Sequence, residues 1–308
     1  MTALGTLGNT SKDTLRDVLT RMEKEGAALG HFNVSDQVLL KAVAAASADT
    51  KLPVLIGASE GEREFFGARQ LAALVNSVRQ ESGLPIFLNA DHTHSLAKAI
   101  EAANAGFDSV GIDFSALPFD RNVAQTKEAV QAIKAVNPGI LVEGEIGDIG
   151  TGSEIKETAQ GGKLSTPEEA RQFVEATGID ILAPAVGNMH GMLKSMVQGK
   201  AKKHLDIERI AEIKQAAGVF LTLHGGSGTE DEHFRKAIVA GINIIHINTE
   251  LRVAWRESLA ESLARDSNEV VPYKILRPVI DSVKQVVNSR LRLFHGEPVS
   301  SGAVESVA

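Results

Sequence analysis

Eight short apolar runs, each followed by a segment with helical character, recur from one end of the chain to the other. The runs are rich in Val, Ile and Leu and end in glycine or polar residues, as buried strands do. Alternating strand and helix units require a parallel sheet, and eight of them predict a closed (β/α)8 TIM barrel, an α/β fold. The predicted strands are 27–34, 53–58, 85–90, 109–114, 140–146, 181–186, 219–223 and 242–247.

The alternative is an open, doubly wound sheet. The first predicted strand is not followed by the G-x-G-x-x-G pattern of that class, which favours the barrel. No break in composition divides the chain, so we expect residues 1–308 to form a single TIM-barrel domain. Extra helices are predicted at both termini, the first capped at Ser11 and the last over 279–292, with a disordered tail over 297–308.

Composition excludes several classes of protein. There are no cysteines, so disulfides and thiolate metal sites are ruled out. A net charge of -7 argues against nucleic acid as a partner, and the basic block at 200–204 is predicted to be a solvated loop. The chain has no signal-peptide pattern at its start and no run of 18 apolar residues. We therefore expect a cytoplasmic protein that does not bind membranes.

Three of the nine histidines stand where predicted strands end: His92, His190 and His224. The carboxyl ends of barrel strands form one face, so these three imidazoles are expected to converge. Three histidines with an open fourth position are the ligands of a catalytic zinc, which polarises a carbonyl oxygen. The alternative is that each is an ordinary loop residue. That reading is kept for His94, His204, His233 and His295, and His31, inside the first strand, is expected to line the core.

Acidic residues accompany these histidines. Asp91 directly precedes His92, and a bend at the strand end would let both reach the site. Asp91 would then serve as a general acid or base, or as a hydrogen-bond partner of a ligand. Glu143 and Glu145 are two residues apart and share one face of a strand. Buried acids need a cation or an ion pair, so metal binding and a structural ion pair both remain open.

Glycine-rich turns after the last two strands indicate an anion site. Gly225, Gly226 and Ser227 follow the seventh strand, and Asn248 and Thr249 follow the eighth. These two loops form the usual phosphate site of a TIM barrel, where helix N-termini face the anion. Gly191 and Lys194 would add a further anion contact. A merely tight turn is the alternative reading.

In these motifs the chain resembles the class II, metal-dependent fructose-bisphosphate and tagatose-bisphosphate aldolases. The matching segments follow the family's order through most of the chain. They are HFNV at 31–34, PVLIGASEG at 53–61, LNADHTHS at 88–95, GIDFSALPFDRN at 111–122, VEGEIGDIG at 142–150, VGNMHGMLK at 186–194, LHGGSG at 223–228 and INTELR at 247–252.

The resemblance implies a Zn²⁺ held by His92, His190 and His224, with Glu145 able to hold the metal in a more buried position. It implies that Asp91 handles the proton of the C4 hydroxyl. Glu154 is the nearest match to a catalytic glutamate of the mobile loop, displaced by one residue. A second divalent or a monovalent cation is a further implied cofactor. Asn33 matches a substrate contact, and phosphate-binding positions match Ser59, Gly191, Lys194, Gly225, Gly226, Ser227 and Thr249.

Two positions depart from the family pattern. His246 stands where asparagine is usual, and Asn248 where aspartate or alanine is usual. His246 would replace the asparagine's hydrogen bond to substrate, add a fourth imidazole near the metal, or mark another ketose.

The resemblance implies reversible cleavage of fructose 1,6-bisphosphate in glycolysis and gluconeogenesis, by a homodimer or homotetramer. The alternatives are a tagatose-bisphosphate aldolase, a metal-free phosphosugar isomerase that uses Asp91 and Glu145, and a non-catalytic partner subunit.

Overall fold

Eight parallel strands close into a barrel in the computed structural model, which describes residues 13–150, 152–158 and 162–297. Around the barrel the order is β1-β10-β9-β7-β5-β4-β3-β2, and β6 and β8 form a separate two-stranded sheet. The predicted (β/α)8 fold is confirmed, and every predicted strand is present. The strands are β1 (Leu29–Asn33), β2 (Val54–Ala58), β3 (Ile86–Thr93), β4 (Ser109–Ile112), β5 (Leu141–Ile146), β6 (Ile155–Lys156), β7 (Ile181–Pro184), β8 (Met192–Leu193), β9 (Phe220–Leu223) and β10 (Ile242–Ile247).

At least one helix follows each barrel strand, and α1 precedes the first of them. Apolar side chains on the outer face of the barrel pack against this ring of helices and form the main core. The helices are α1 (Leu15–Glu25), α2 (Gln37–Thr50), α3 (Glu60–Phe66), α4 (Ala68–Ser82), α5 (Leu96–Ala105), α6 (Phe119–Val136), α7 (Pro167–Thr177), α8 (Lys194–Val197), α9 (Ile207–Ala217), α10 (Asp231–Ala240), α11 (Thr249–Arg265) and α12 (Pro272–Phe294).

Helix α1 closes the amino-terminal end of the barrel. Its buried residues form a second apolar cluster with side chains from the first residues of the strands, among them Leu29, Leu55 and Ile244. The cap of α1 is Thr14 rather than the predicted Ser11, which lies outside the described residues. Thr14 accepts a hydrogen bond from the Asp17 N–H, and Asp17 bonds back to Thr14, which completes a capping box. With this end filled, the polar strand ends face the opposite mouth.

The last predicted helix is longer in the structure than in the prediction. Helix α12 begins at Pro272 and continues through Pro278, because a buried stripe that includes Val279, Val283 and Val287 holds it against the barrel. Between β5 and α7 the chain forms the short strand β6, which pairs with β8. Of the tail predicted over 297–308, only Glu297 lies in the described residues, where it pairs with Arg292 at 2.9 Å.

Helix α3 follows β2 directly and precedes α4. It begins with a capping box in which Ser59 and Glu62 bond to each other.

Gly57 of β2 makes room for the imidazole of His31 in the barrel interior. A Cβ at this position would lie 2.0 Å from Cε1 of His31. We expect Gly57→Ala to lower the free energy of unfolding by about 1–3 kcal/mol, because the core cannot absorb the extra methyl group. The same change in a His31→Ala background should cost far less, measured by chemical denaturation as a double-mutant cycle. Equal losses in the two backgrounds would show that the clash is not the cause.

Candidate metal centre and substrate pocket

The three strand-end histidines meet at the carboxyl mouth of the barrel. The ring of His92 lies 4.6 Å from that of His190 and 4.5 Å from that of His224, between centroids. One nitrogen from each histidine and a carboxylate oxygen of Glu145 all lie within 4.8 Å of one another. The convergence predicted from strand ends is therefore present, and Glu145 joins the group.

A backbone bend at the end of β3 brings both Asp91 and His92 to this mouth. The pairing of β3 with β4 shifts register between Ala90 and Thr93, and His92 has a positive φ of 42°. Arg63 of α3 holds the bend, since its guanidinium donates to the Asp91 carbonyl and the Thr93 hydroxyl, each at 3.0 Å. A regular strand would have pointed the two side chains to opposite faces.

Two carboxylates fix which ring nitrogens face the centre. Glu143 lies 2.7 Å from Nε2 of His224, and Asp113 lies 3.0 Å from Nδ1 of His92. A carboxylate accepts a hydrogen bond from the ring nitrogen that carries a proton, so the opposite nitrogen carries a lone pair whenever the imidazole is neutral. Those two, Nδ1 of His224 and Nε2 of His92, are 2.9 Å apart.

Other buried polar atoms of the group have no partner. Among the described residues, Nε2 of His190 and Oε2 of Glu145 make no hydrogen bond. Burial, followed by His92 and His224, lowers the pKa of His190 well below its ordinary value, which keeps its imidazole neutral. Burial and Asp113 raise the pKa of Glu145 to about 7. Lone pairs from three imidazoles beside one carboxylate oxygen are a donor set that fits a metal ion, with the orienting carboxylates such sites use.

Asp91 is held ionised beside this group. Burial opposes its ionisation, but the nearby His92 and His246 keep its pKa well below the ordinary value. Asn33 donates from Nδ2 to Oδ2 of Asp91 at 2.9 Å, and from the same nitrogen to Glu62 at 2.9 Å. Oδ1 of Asp91 has no hydrogen-bond partner among the described residues. It is available to accept a proton or a hydrogen bond.

His246 is a fourth imidazole in contact with the group. It stacks between His31, at 3.4 Å, and His224, at 4.1 Å between ring centroids. Its Nδ1 is 3.4 Å from Oδ1 of Asp91, and its Nε2 has no partner among the described residues. His31 is buried as predicted and its Nε2 lies 3.1 Å from the Asn89 side-chain oxygen.

A pocket opens beside the histidines, and nine of the residues that line it are predicted site residues; Ser153 is the tenth. The loops after β7, β9 and β10 supply most of its wall. It is lined by Asn33, Asp91, Ser153, His190, Gly191, Gly225, Ser227, His246, Asn248 and Thr249.

The glycine loops present unused backbone donors to this pocket. Within the described ranges we find no hydrogen bond from the N–H groups of Gly191, Gly225, Ser227 and Thr249. Thr249 begins α11, so its N–H also lies at a helix N-terminus. Gly225 is required at its position, because it has a φ of 60° and a Cβ there would lie 2.3 Å from the Met189 carbonyl oxygen. Converging free N–H groups are the usual way of binding an anion.

Four predicted site residues belong neither to the pocket wall nor to the metal-binding group. Ser59 donates its hydroxyl to Glu62 at 3.0 Å, and Gly226 donates its N–H to the His246 carbonyl at 3.0 Å. Lys194 is exposed, with its Nζ 3.8 Å from Glu157. Glu154 is also exposed and lies beside Gly152. The first two make hydrogen bonds within the protein, whereas Lys194, at the start of α8, and Glu154 are exposed to solvent.

Three residues near the pocket were not singled out from the sequence. Glu62 accepts from Asn33 and Ser59, and Arg252 bridges Glu62, at 2.7 Å, and the Ser153 carbonyl, at 3.1 Å. The signal for Glu62 was the capping-box spacing from Ser59. Lys203 is only 3% exposed, so the solvated-loop prediction for 200–204 is wrong at this residue. Its burial arises from contacts between loops distant in sequence.

Comparison with known proteins gives one consistent family. The family model described as fructose-bisphosphate aldolase class-II matches residues 13–297. A probable fructose-bisphosphate aldolase of Bacillus subtilis is 34% identical over 284 residues, covering 91% of this chain and 96% of that protein. The fructose-bisphosphate aldolase of Thermus caldophilus is also 34% identical, covering 90% and 96%. The YdjI aldolase of Escherichia coli K12 superimposes with a TM-score of 0.76 at 28% identity, covering 91% and 96%. Among the described helices, none combines the length and apolarity needed to span a bilayer.

Proposed function

The chain belongs to the class-II fructose-bisphosphate aldolase family, a metal-dependent family that acts on small phosphorylated sugars, and from this premise we propose its reaction. The reaction is reversible cleavage of fructose 1,6-bisphosphate to dihydroxyacetone phosphate and glyceraldehyde 3-phosphate. One observation carries the proposal. Three imidazole nitrogens oriented by carboxylates converge beside a pocket that also presents an ionised Asp91 and free backbone N–H groups.

His92, His190 and His224 would hold the metal, and Glu145 is the carboxylate that reaches the same centre. The metal we propose is Zn²⁺, because neutral imidazole suits it and it tolerates a four-coordinate site of this kind. When bound it would supply Lewis-acid stabilisation of the oxygen that becomes negative as the C3–C4 bond breaks. Glu143 and Asp113 keep the ligand rings in the tautomers that direct lone pairs inward.

Asp91 is the proposed base that takes the C4 hydroxyl proton during cleavage. In the condensation direction, the protonated carboxyl group of Asp91 returns that proton. Asp91 lines the pocket, and its Oδ1 has no hydrogen-bond partner among the described residues. Asn33 orients the carboxylate through the other oxygen. His246 offers Nε2 to the substrate as a hydrogen-bonding atom. The exposed Glu154 is proposed to act on the carbon of the enediolate, which requires its loop to move over the pocket.

The free N–H groups of the glycine loops are proposed to bind one phosphate of the substrate. Gly191, Gly225, Ser227 and Thr249 line the pocket. We propose Gly226 as a supporting residue and Ser59, Lys194 and Asn248 as further phosphate or substrate contacts. Two phosphate sites at opposite ends of the sugar would hold the reacting carbons in register.

The test is a cleavage assay on fructose 1,6-bisphosphate and tagatose 1,6-bisphosphate with the metal-loaded protein, repeated after chelation and after adding Zn²⁺ back. We expect faster cleavage of the fructose substrate, loss of activity on chelation and recovery with Zn²⁺. A dominant rate on tagatose bisphosphate would reassign the substrate. Full turnover in metal-stripped protein would favour the metal-free mechanism, and no turnover in any arm would favour a non-catalytic role.

The cellular setting is part of the same proposal. We place the reaction in glycolysis and gluconeogenesis, in the cytoplasm, carried out by a homodimer or homotetramer. Helices α11 and α12 form a pair at the edge of the barrel. Val270, in the connection between them, and Tyr273, in the first turn of α12, are largely exposed. This exposed apolar surface supports contact between subunits.

A further inference from the structure

Lys203 is a buried lysine whose ammonium is enclosed by carbonyl oxygens. Its Nζ donates to the carbonyls of Met189 at 2.7 Å, Gly191 at 2.6 Å and Gly225 at 2.9 Å. These carbonyls come from the loops after β7 and β9, the same two loops that present N–H groups to the pocket. No carboxylate hydrogen-bonds to this nitrogen in the described part of the chain.

The three carbonyl acceptors around Nζ of Lys203 indicate that this nitrogen is protonated. A neutral amine has two N–H bonds and one lone pair, so one of the three carbonyls would face that lone pair. The ammonium ion has three N–H bonds, one for each oxygen. Burial lowers the pKa of Lys203 to about 7, and the charge of Glu250 opposes this fall. The geometry is therefore that of a charged donor.

The position of this cation links the two loops. Each carbonyl shares a peptide plane with the next N–H, and these N–H groups are bonded to other elements: His190 to Ile149, Met192 to Glu154, Gly226 to His246. The three peptide planes are therefore fixed from both sides. Without a cation, three buried carbonyl oxygens would face one another with no donor between them, and their repulsion would separate the loops.

We infer that Lys203 is a built-in monovalent cation that sets the geometry of the phosphate-binding loops, so that this enzyme needs no K⁺ or Na⁺ at this place. A bound alkali ion would likewise be a single positive charge surrounded by oxygen atoms at similar distances. The inference rests on the proposed function for the anion that the loops bind. Lys203 is a positioning residue, since it is not among the residues that line the pocket.

Its main test needs no mutation. The wild-type protein is assayed in chloride salts of K⁺, NH₄⁺ and tetramethylammonium at equal ionic strength, in a buffer below neutral pH. We expect the same KM and kcat in all three. Activation by K⁺ over tetramethylammonium would overturn the inference.

The matching variant is Lys203→Met, which keeps the unbranched stem, removes the charge and, being one atom shorter, vacates the position of Nζ. In tetramethylammonium we expect KM for the bisphosphate to rise by about tenfold or more, as for loss of a buried charged hydrogen-bond donor. K⁺ or NH₄⁺ should restore much of that loss. Lys202→Met, at the exposed neighbour, is the control and should behave as wild type. A loss in Lys203→Met that no small cation restores would mean a purely structural role and would overturn the inference.

A calorimetric titration separates this inference from the proposed function. Inorganic phosphate is titrated into both proteins in K⁺ and in tetramethylammonium, with no turnover involved. A cation-dependent affinity in Lys203→Met alone supports the built-in cation even if fructose 1,6-bisphosphate proves not to be the substrate. The same affinity in both salts for both proteins counts against it.

Discussion

His190→Ala is expected to remove the bound metal and to lower kcat/KM for fructose 1,6-bisphosphate by at least about 1,000-fold. His190 is the most direct of the three proposed ligands to test. Its Nε2 has no hydrogen-bond partner among the described residues, so the alanine leaves no carboxylate unpaired. His92 and His224 each have such a carboxylate, and their loss would also disturb stability. Metal content by elemental analysis and the cleavage rate are measured on the same sample.

The control for this variant is His204→Ala. His204 belongs to another histidine pair, with Nδ1 3.1 Å from Nε2 of His233, but it is exposed. Nδ1 of His233 accepts from the Leu205 N–H at 3.0 Å, so its Nε2 carries the proton and offers no lone pair to a metal. His204→Ala should keep full metal content and activity. One equivalent of metal in His190→Ala would remove His190 from the ligand set.

Asp91→Asn is expected to lower kcat by about 100- to 10,000-fold, the usual contribution of a general base, with metal content unchanged. The amide keeps the shape of the side chain and still accepts the hydrogen bond from Asn33, but it cannot take a proton. KM should change little, because the phosphate-binding groups stay in place. Steady-state kinetics at saturating substrate and elemental analysis check both parts.

Asn33→Ala distinguishes proton transfer from positioning. If Asp91 served mainly to hold Asn33, removing Asn33 would reproduce the loss seen in Asp91→Asn. We expect a smaller effect, since Asn33 donates to Glu62 as well as to Asp91 and acts on the base only through orientation. A kcat for Asp91→Asn within a few-fold of wild type would exclude Asp91 as the base.

Local pattern was enough to predict the barrel and the histidine centre. The carboxyl ends of all barrel strands lie on the same face, so a histidine that directly follows a strand is expected at that face. That is why His92, His190 and His224 converge as predicted. The bend at His92 was also predictable from the sequence, because Asp91 and His92 can both reach the mouth only if the strand ends there.

Contacts between loops that are distant in the chain could not be predicted from the sequence. Lys203 follows an exposed basic run, and nothing beside it in the sequence shows that the carbonyls of Met189 and Gly225 enclose its side chain. The stacking of His246 between His31 and His224 likewise depends on strands β1 and β10 being neighbours, which only barrel closure provides. Glu154 was placed by resemblance on a loop, and a loop residue has no fixed direction that sequence could supply.

The plug formed by α1 also bears on how fast the metal centre exchanges with its surroundings. Leu15, Val18 and Leu19 fill the amino-terminal end of the barrel, so in the described part of the chain ions and water reach the centre through the carboxyl mouth, past the pocket. A sugar bisphosphate seated there would lie across that route. Occupancy by substrate would then slow removal of the metal by a chelator, and the resting enzyme would lose its metal faster than the working one.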